Sequence, residues 1–180
     1  MMDFLDFENH DLYFDEAMSS EDDLLLKRAA NEYPSKRTEE ILLDLQARLP
    51  DNLTIIVALY RFYYYQHRYQ DALDISARAM EISANMMGLD LHWQEISEQH
   101  LGEGVFVSMG LIRFYMLALK ASAFILMRIN ETEQAHERLK KIIELDPGDQ
   151  FGAEFLYKIS ERKMSLKHAE RENVESLFNR

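Results

Sequence analysis

Two histidines and two glutamates lie close together near the middle of the chain, and they are the residues best suited to acid–base or metal chemistry. They are His92, Glu95, Glu98 and His100. Their order differs from the HExxH pattern that brings two imidazoles to a zinc ion from one helix face. The chain has no cysteine, which excludes thiolate ligands, thiol nucleophiles and disulfides. Because it also lacks a Gly-rich phosphate loop and a GxSxG sequence, the sequence predicts a non-enzymatic protein without a metal or a cofactor.

A second set of residues is suited to binding rather than to catalysis. Its members are spaced by four, three, four and four residues, which places them on one face of a helix. They are Arg113, Leu117, Lys120, Phe124 and Arg128. A basic face interleaved with an aromatic ring suits an acidic, partly apolar peptide. The alternative is that these charges form the solvated face of a helix that is otherwise buried.

An aromatic block with the sequence RFYYY begins at Arg61 and offers another candidate binding surface. Consecutive rings on a helix cannot all face the core, so we expect Tyr64 and Tyr65 to lie outside it, beside Val57 and Arg61. Tyrosine combines apolar area with a polar tip, which suits an interface. The alternative is that these rings pack against the rest of the same chain.

The negative charge of the chain is concentrated at its N-terminus. The 180 residues have a net charge of −12, and residues 1–23 contain nine acids and no lysine or arginine. No broad basic surface is therefore available for nucleic acid. Residues 1–18 combine acids with aromatic rings, and we expect a flexible, solubilising tail. The alternative is that this tail folds back onto a basic, aromatic groove.

One long apolar segment requires a test for membrane insertion. The segment from Val105 to Met127 carries Arg113 and Lys120 near its middle, where each would cost about 2.5–3.5 kcal/mol in a bilayer. A buried helix with one wet face is the better interpretation, so no membrane span is predicted. No basic region precedes an apolar core at the N-terminus, so we expect a cytoplasmic protein without a signal peptide.

The spacing of apolar residues in the segment 116–149 resembles a known repeat. Two amphipathic runs are joined by a short polar turn. Ala135 lies nine residues after Leu126, Leu139 follows four residues later, and Pro147 lies twelve residues after Ala135. This pattern resembles the tetratricopeptide repeat (TPR), a helix–turn–helix unit of 34 residues.

The resemblance implies an all-α domain at residues 19–180, built from about three helical hairpins. Its predicted parts are repeats at 19–52, 53–86 and 116–149, an insert at 87–115 and a capping helix at 150–178. A helix beginning at Val105 is expected to run unbroken into the third repeat, so that it covers residues 105–128. Such repeats bury their apolar faces by stacking on one another.

TPR proteins bind peptides in the concave surface formed by the first helix of each hairpin. The resemblance therefore implies a groove at Val57, Arg61, Tyr64, Tyr65, Arg113, Leu117, Lys120, Phe124 and Arg128. It implies an adaptor or a chaperone-like protein whose partner is a protein or peptide. In size, acidity and repeat number the chain also resembles small bacterial TPR secretion chaperones.

Two other functions remain open at this point. The first is a ligand-binding or enzymatic helical domain with a pocket between the helix 105–128 and the insert segment 87–104. Its polar groups would be Glu95, Glu98, His100 and Arg113. The second is a structural homodimer that buries apolar surface of the long helix against its twin.

Overall fold

The computed structural model describes residues 18–178, with side chains through Lys167 and at Ala169. Within this range the chain forms eight α-helices and no strand, which confirms the predicted all-α class. The helices are α1 (Ser20–Asn31), α2 (Lys36–Arg48), α3 (Leu53–Tyr65), α4 (Tyr69–Met86), α5 (Glu98–Val105), α6 (Met109–Arg128), α7 (Thr132–Leu145) and α8 (Glu154–Phe178). The predicted acidic tail at residues 1–18 lies outside the described range apart from Met18.

The chain divides into two compact units, the first ending at Ala118 and the second beginning at Leu119. In the first unit, α1 packs on α2, α2 on α3 and α3 on α4, whereas in the second unit α7 packs on α8. Both cores are made of fully buried aliphatic side chains, such as Leu45 in the first unit and Leu139 in the second. Burial of each such side chain contributes about 1.5–3 kcal/mol.

Short polar side chains mark the starts of the first two helices. Ser19 caps α1 by accepting a hydrogen bond from the backbone N–H of Asp22 at 3.1 Å. Ser35 caps α2 in the same way, through the N–H of Thr38 at 3.1 Å. Each bond satisfies an N–H that has no partner within its own helix. Both helices therefore begin with a capped first turn.

The α3–α4 turn and the α6–α7 turn have the same backbone geometry. His67 and Asn130 adopt left-handed φ angles of 57° and 64°. The backbone N–H of Arg68 then donates to the carbonyl of Tyr63 at 2.9 Å. In the other turn the backbone N–H of Glu131 donates to the carbonyl of Leu126 at 2.9 Å. A left-handed residue followed by such a back-bond is a common way to end a helix. The two turns thus reverse the chain by the same mechanism.

Equivalent positions of the three predicted repeats are buried. Thr38, Ala72 and Ala135 occupy the same place in the 34-residue register, and they are 3%, 0% and 0% exposed. All three side chains are small, which is expected where two helices approach closely. The spacing that the sequence shows therefore corresponds to a set of positions with the same burial.

The predicted unbroken helix over 105–128 is wrong. Helix α5 ends at Val105, and α6 begins only at Met109. The N–H groups of Val107 and Ser108 both donate to the carbonyl of Gly104 at 2.9 Å, which ends α5. Ser108 Oγ then accepts from the N–H of Leu111 at 3.3 Å, which caps the first turn of α6. The break is therefore set by a serine cap inside an apolar run.

Two glycines that the sequence places in a loop lie inside α5. They are Gly102 and Gly104. Gly104 is buried, and a Cβ there would lie 3.2 Å from Met87 Sδ, which is closer than ordinary packing. Its lack of a side chain therefore serves close packing rather than a turn.

The predicted capping helix at 150–178 begins later than the sequence suggests. Asp149 Oδ1 accepts hydrogen bonds from the N–H groups of Ala153 at 2.6 Å and Glu154 at 3.0 Å. These bonds satisfy the first amides of α8. The helix therefore begins at Glu154, after a turn that spans the intervening residues.

Helix α6 is the one described helix that is long and apolar enough to cross a membrane. In its most apolar 18-residue window, 67% of the residues are buried inside the protein. Length and composition alone do not separate a membrane span from the core helix of a folded domain.

Candidate functional site

A cleft of about 520 Å³ lies in the first unit, where α1, α2 and α3 meet. Most of its lining is apolar or aromatic. The lining residues are Leu26, Ala29, Ala30, Tyr33, Thr38, Leu42, Thr54, Val57, Ala58, Arg61, Phe62 and Tyr65. Among these described residues, Arg61 is the one that carries a charge. Apolar walls with a small number of polar groups are typical of binding sites.

One face of α3 supplies a wall of this cleft. Val57, Arg61 and Tyr65 are four residues apart, so they lie one above another along the helix. Arg61 is half-buried, and Tyr65 is 40% exposed at the end of the helix. The guanidinium of Arg61 therefore lies between the apolar side chain of Val57 and the aromatic ring of Tyr65 in this wall.

Small side chains make room for the cleft. Ala29 and Ala30 line it from α1, and Ala58 lines it from α3. At these positions a larger side chain would occupy the space between the two helices. The floor is closed by Thr38, whose hydroxyl donates to the carbonyl of Ala29 at 3.4 Å.

Aromatic rings form one end of the cleft. Tyr33 lies edge-to-face with Phe62 at 6.1 Å between ring centroids, and with Tyr65 at 6.4 Å. Gln66 Nε2 donates to the phenol oxygen of Tyr33 at 3.4 Å. Edge-to-face pairs contribute about 0.5–1.5 kcal/mol beyond the area that they bury. The rings therefore hold one another in place while part of each tyrosine faces solvent.

A charged cluster beside the cleft holds the end of α3 to α2. Arg68 donates to Glu39 of α2 at 2.6 Å and to Asp71 at 2.8 Å, and its guanidinium lies 4.5 Å from the ring centre of Tyr63. The hydrogen bonds from Arg68 to Asp71 and Glu39 raise the pKa of this arginine. Burial, followed by the negative charge of Glu39, raises the pKa of Tyr63. This cluster acts on the position of α3 and does not line the cleft.

Three of the four predicted groove residues on α3 line the cleft. They are Val57, Arg61 and Tyr65. Tyr64 is not among the lining residues. Its ring stacks on Tyr60 at 6.1 Å with an interplanar angle of 10°, and it also contacts the ring of Tyr69. Tyr64 lies three residues after Arg61 and seven after Val57, so helix spacing alone does not separate it from their face. Its contacts with the rings of Tyr60 and Tyr69 show where it packs.

The predicted groove residues on α6 fall in both units. In the first unit Arg113 is exposed and Leu117 is half-buried. In the second unit Lys120 donates to the backbone carbonyl of Phe151. Lys120 therefore has a structural task that spacing alone did not show.

The last two residues of the predicted basic face interact with each other. The guanidinium of Arg128 lies 5.6 Å from the ring centre of Phe124. Such a cation–π contact contributes about 0.5–1 kcal/mol at an exposed site. These residues are one turn apart on α6, as the spacing predicts.

The histidine and glutamate cluster serves the local fold. His100 Nδ1 lies 3.2 Å from the N–H of Ser97 and 3.1 Å from its hydroxyl, and Ser97 caps α5. Glu95 accepts from the N–H of His92 at 3.0 Å. Among the side chains that the structure describes, at residues 18–167 and 169, no group of three or more His, Asp or Glu is arranged to hold a metal ion.

Sequence reasoning missed the contribution of α1 and α2 to the cleft. Leu26 and Ala30 line the cleft from α1, Tyr33 lines it from the segment after α1, and Leu42 lines it from α2. A signal was present, since two adjacent alanines precede Tyr33 and leave little bulk on that side of the helix. The packing partner of this side is a tertiary property, so the pattern alone did not identify a site.

Comparisons with known proteins identify one relative. No protein-family model matches the chain, and no solved structure matches it. The chain is 41% identical over 155 residues to the "Uncharacterized 19.8 kDa protein in nifW 5'region" of Azotobacter chroococcum mcd 1. The alignment covers 86% of each protein. With this identity over nearly the whole length, the chain belongs to the same family as that uncharacterized 19.8 kDa protein.

Proposed function

We propose that this protein is a non-enzymatic interaction module that binds a peptide or helix of a partner protein in the α1–α3 cleft. The observation that carries the proposal is the lining of the cleft, which is apolar and aromatic with Arg61 as its charged residue. Aromatic and arginine side chains are those that most often dominate the energy of protein–protein interfaces. The expected partner segment presents apolar side chains next to a carboxylate.

The repeated turn geometry and the shared buried positions support an assignment to TPR-like hairpins. In such hairpins the first helix of each pair faces the bound peptide. The cleft is lined mainly by α1 and α3, which are the first helices of the first two hairpins. A binding role for this face therefore agrees with the resemblance that the sequence shows.

A chaperone-like role is the finer form of the proposal. Besides the alanines and the rings, the lining contains the aliphatic residues Leu26, Leu42 and Val57. A cleft of this kind suits an apolar segment that must be kept from aggregating before it reaches its final partner. The proposal assigns no chemistry to the cleft, since binding of such a segment needs none.

The experiment is affinity capture from the native host lysate with the wild type and three variants of the full chain. Arg61→Glu reverses the charge in the cleft, and Ala30→Trp fills it from an exposed position. The matched control is Arg78→Glu, because Arg78 pairs with Asp51 and Glu81 outside the cleft lining. We expect the same partner to be retained by the wild type and by the control, and lost by both cleft variants.

Circular dichroism and thermal unfolding of each variant check that the helices are intact. If both cleft variants kept the partners that the wild type captures, the cleft would not be the binding site. If the control lost them as well, the effect would be one of net charge rather than of the cleft.

A further inference from the structure

We propose that the N-terminal segment of this same chain, residues 1–17, binds in the α1–α3 cleft and is displaced by the partner. The displacement step rests on the proposed function, whereas the binding of the segment does not. The segment contains six acids and no lysine or arginine. It also contains six large apolar or aromatic residues besides methionine, which are Phe4, Leu5, Phe7, Leu12, Tyr13 and Phe14.

The chemistry of the segment complements that of the cleft. In the segment, Asp6 lies between Leu5 and Phe7. In the cleft, Arg61 lies between Val57 and Tyr65. A carboxylate flanked by apolar groups therefore meets a guanidinium flanked by apolar groups. Hydrogen bonds between such ions are about twice as strong as those between neutral groups, and the flanking groups exclude water from them.

No carboxylate belongs to the described lining of the cleft. An acidic segment would therefore meet no like charge among these residues. Exposed acids of the first unit are engaged elsewhere, for example Asp23 with Lys27 and Glu32 with Arg28. The cleft is thus a place in the first unit where an acidic, aromatic peptide avoids repulsion.

The segment is long enough to reach the cleft. Leu26 and Ala30 line the cleft from α1, about 9–15 Å along the helix axis from Ser20 at 1.5 Å per residue. The eleven residues between Asp6 and Met18 allow these two residues to lie up to about 40 Å apart when the chain is extended. The segment can therefore turn back along α1 with length to spare.

The covalent connection makes this binding effective even where the contacts are few. A short flexible tether holds its ligand at an effective concentration on the order of millimolar. A partner then binds only to the fraction of molecules whose cleft is open, so its apparent affinity falls by that fraction. The N-terminal segment would thereby prevent binding of weak or incorrect partners.

The natural absence of cysteine allows a direct test in the full chain. Glu8→Cys places one thiol in the segment, and Ala30→Cys places another in the lining of the cleft. The control pairs Glu8→Cys with Asp74→Cys, an exposed position on α4 that does not line the cleft. Equilibration in a glutathione redox buffer reports the effective concentration of each thiol pair.

We expect the effective concentration of the cleft pair to exceed that of the control pair by at least about tenfold. Adding Arg61→Glu to the chain that carries Glu8→Cys and Ala30→Cys should lower the effective concentration of this cleft pair towards that of the control pair. Equal values for the two pairs would overturn the proposal. Disulfides that join two chains in preference to one would also overturn it, because the segment would then bind a neighbouring copy.

A second measurement uses a fluorescent synthetic peptide of residues 1–17 as the probe. It should bind the full chain carrying Phe4→Ser and Phe7→Ser about tenfold more tightly than the wild type, because the intact segment competes for the cleft. Equal binding to both would contradict the proposal.

The two proposals can fail separately. If the cleft pair behaves like the control while a lysate partner still depends on Arg61, the segment proposal fails and the proposed function stands. If the cleft pair forms its disulfide but no partner depends on Arg61, the proposed function fails and the segment proposal stands.

Discussion

Two cations that the sequence assigned to one groove have different surroundings in the two units. In the first unit, Arg61 lines a cleft together with apolar and aromatic side chains. In the second unit, Lys120 donates a hydrogen bond to the carbonyl of Phe151, in the turn that precedes α8. The first cation is placed where a ligand can meet it, whereas the second stabilises its own unit.

The contact of Lys120 arises in the turn between α7 and α8. In this turn Asp146 accepts a hydrogen bond from the N–H of Phe151 at 2.8 Å, and Asp149 accepts hydrogen bonds from the first amides of α8. The turn presents a backbone carbonyl to Lys120. Arg61 lies on α3, which is joined to α2 by four residues that end at the cap Asn52. A cation on a helix face therefore has a different role, depending on the segment that packs beside it.

The largest expected effect on stability comes from the second unit. Lys120→Met keeps the apolar stem and removes the ammonium group, which should lower the free energy of unfolding by about 1.5–3 kcal/mol, as for other hydrogen bonds to charged groups. Lys140→Met serves as the matched control. Urea unfolding, followed by circular dichroism, measures both.

The comparison would be broken if Lys120→Met destabilised the protein no more than Lys140→Met. Lys140→Met is the control for a change of net charge, since Lys140 is an exposed residue of α7. It should alter the free energy of unfolding by about 0.5 kcal/mol or less.

An intermediate effect is expected at the two matching turns. His67→Gly and Asn130→Gly relieve a left-handed conformation that glycine adopts without a Cβ clash. We expect a gain in unfolding free energy of up to about 1 kcal/mol at His67, and a smaller gain at Asn130, because asparagine tolerates this conformation better. Asn85→Gly within α4 should instead lose about 0.3 kcal/mol, because glycine favours a helix slightly less than asparagine does. If both turn variants lost as much as Asn85→Gly, the two turns would not share their strain.

The smallest effect concerns one tyrosine in each unit. Burial raises the pKa of Tyr63, and burial followed by a hydrogen bond with Glu161 raises the pKa of Tyr157. The folded protein thus keeps these phenol protons to higher pH than the unfolded chain, whose value is near 10.0. Their contribution to stability is complete below about pH 10 and is lost as pH rises through the folded pKa.

Tyr63→Phe and Tyr157→Phe should therefore each reduce the loss of stability between neutral and alkaline pH. Urea unfolding at a series of pH values measures this loss, and Tyr33→Phe controls for removal of a phenol hydroxyl. An unchanged alkaline loss in both variants would show that other groups dominate it.

Much of the fold followed from local patterns. The helix type and the spacing that places the small residue Ala135 are visible in the sequence, because helix periodicity depends on neighbours within a few residues. The break between α5 and α6 was missed, since Ser108 lies in an apolar run that favours an unbroken helix.

The candidate site was predicted only in part. The resemblance assigned Val57, Arg61, Tyr64 and Tyr65 to a groove. All of these except Tyr64 line the cleft, and the lining from α1 and α2 was not predicted. Helix spacing shows which residues share a face, but it does not show which other helix covers that face.

By itself, the sequence determined that the chain is helical and that its helices carry apolar residues at helical spacing. These properties depend on contacts between residues close in the chain. Only the tertiary structure decided that Ala29, Ala30 and Ala58 leave a cleft beside Arg61, and that Lys120 holds the carbonyl of Phe151. Such properties depend on residues far apart in sequence, whose approach is set by the packing of whole helices.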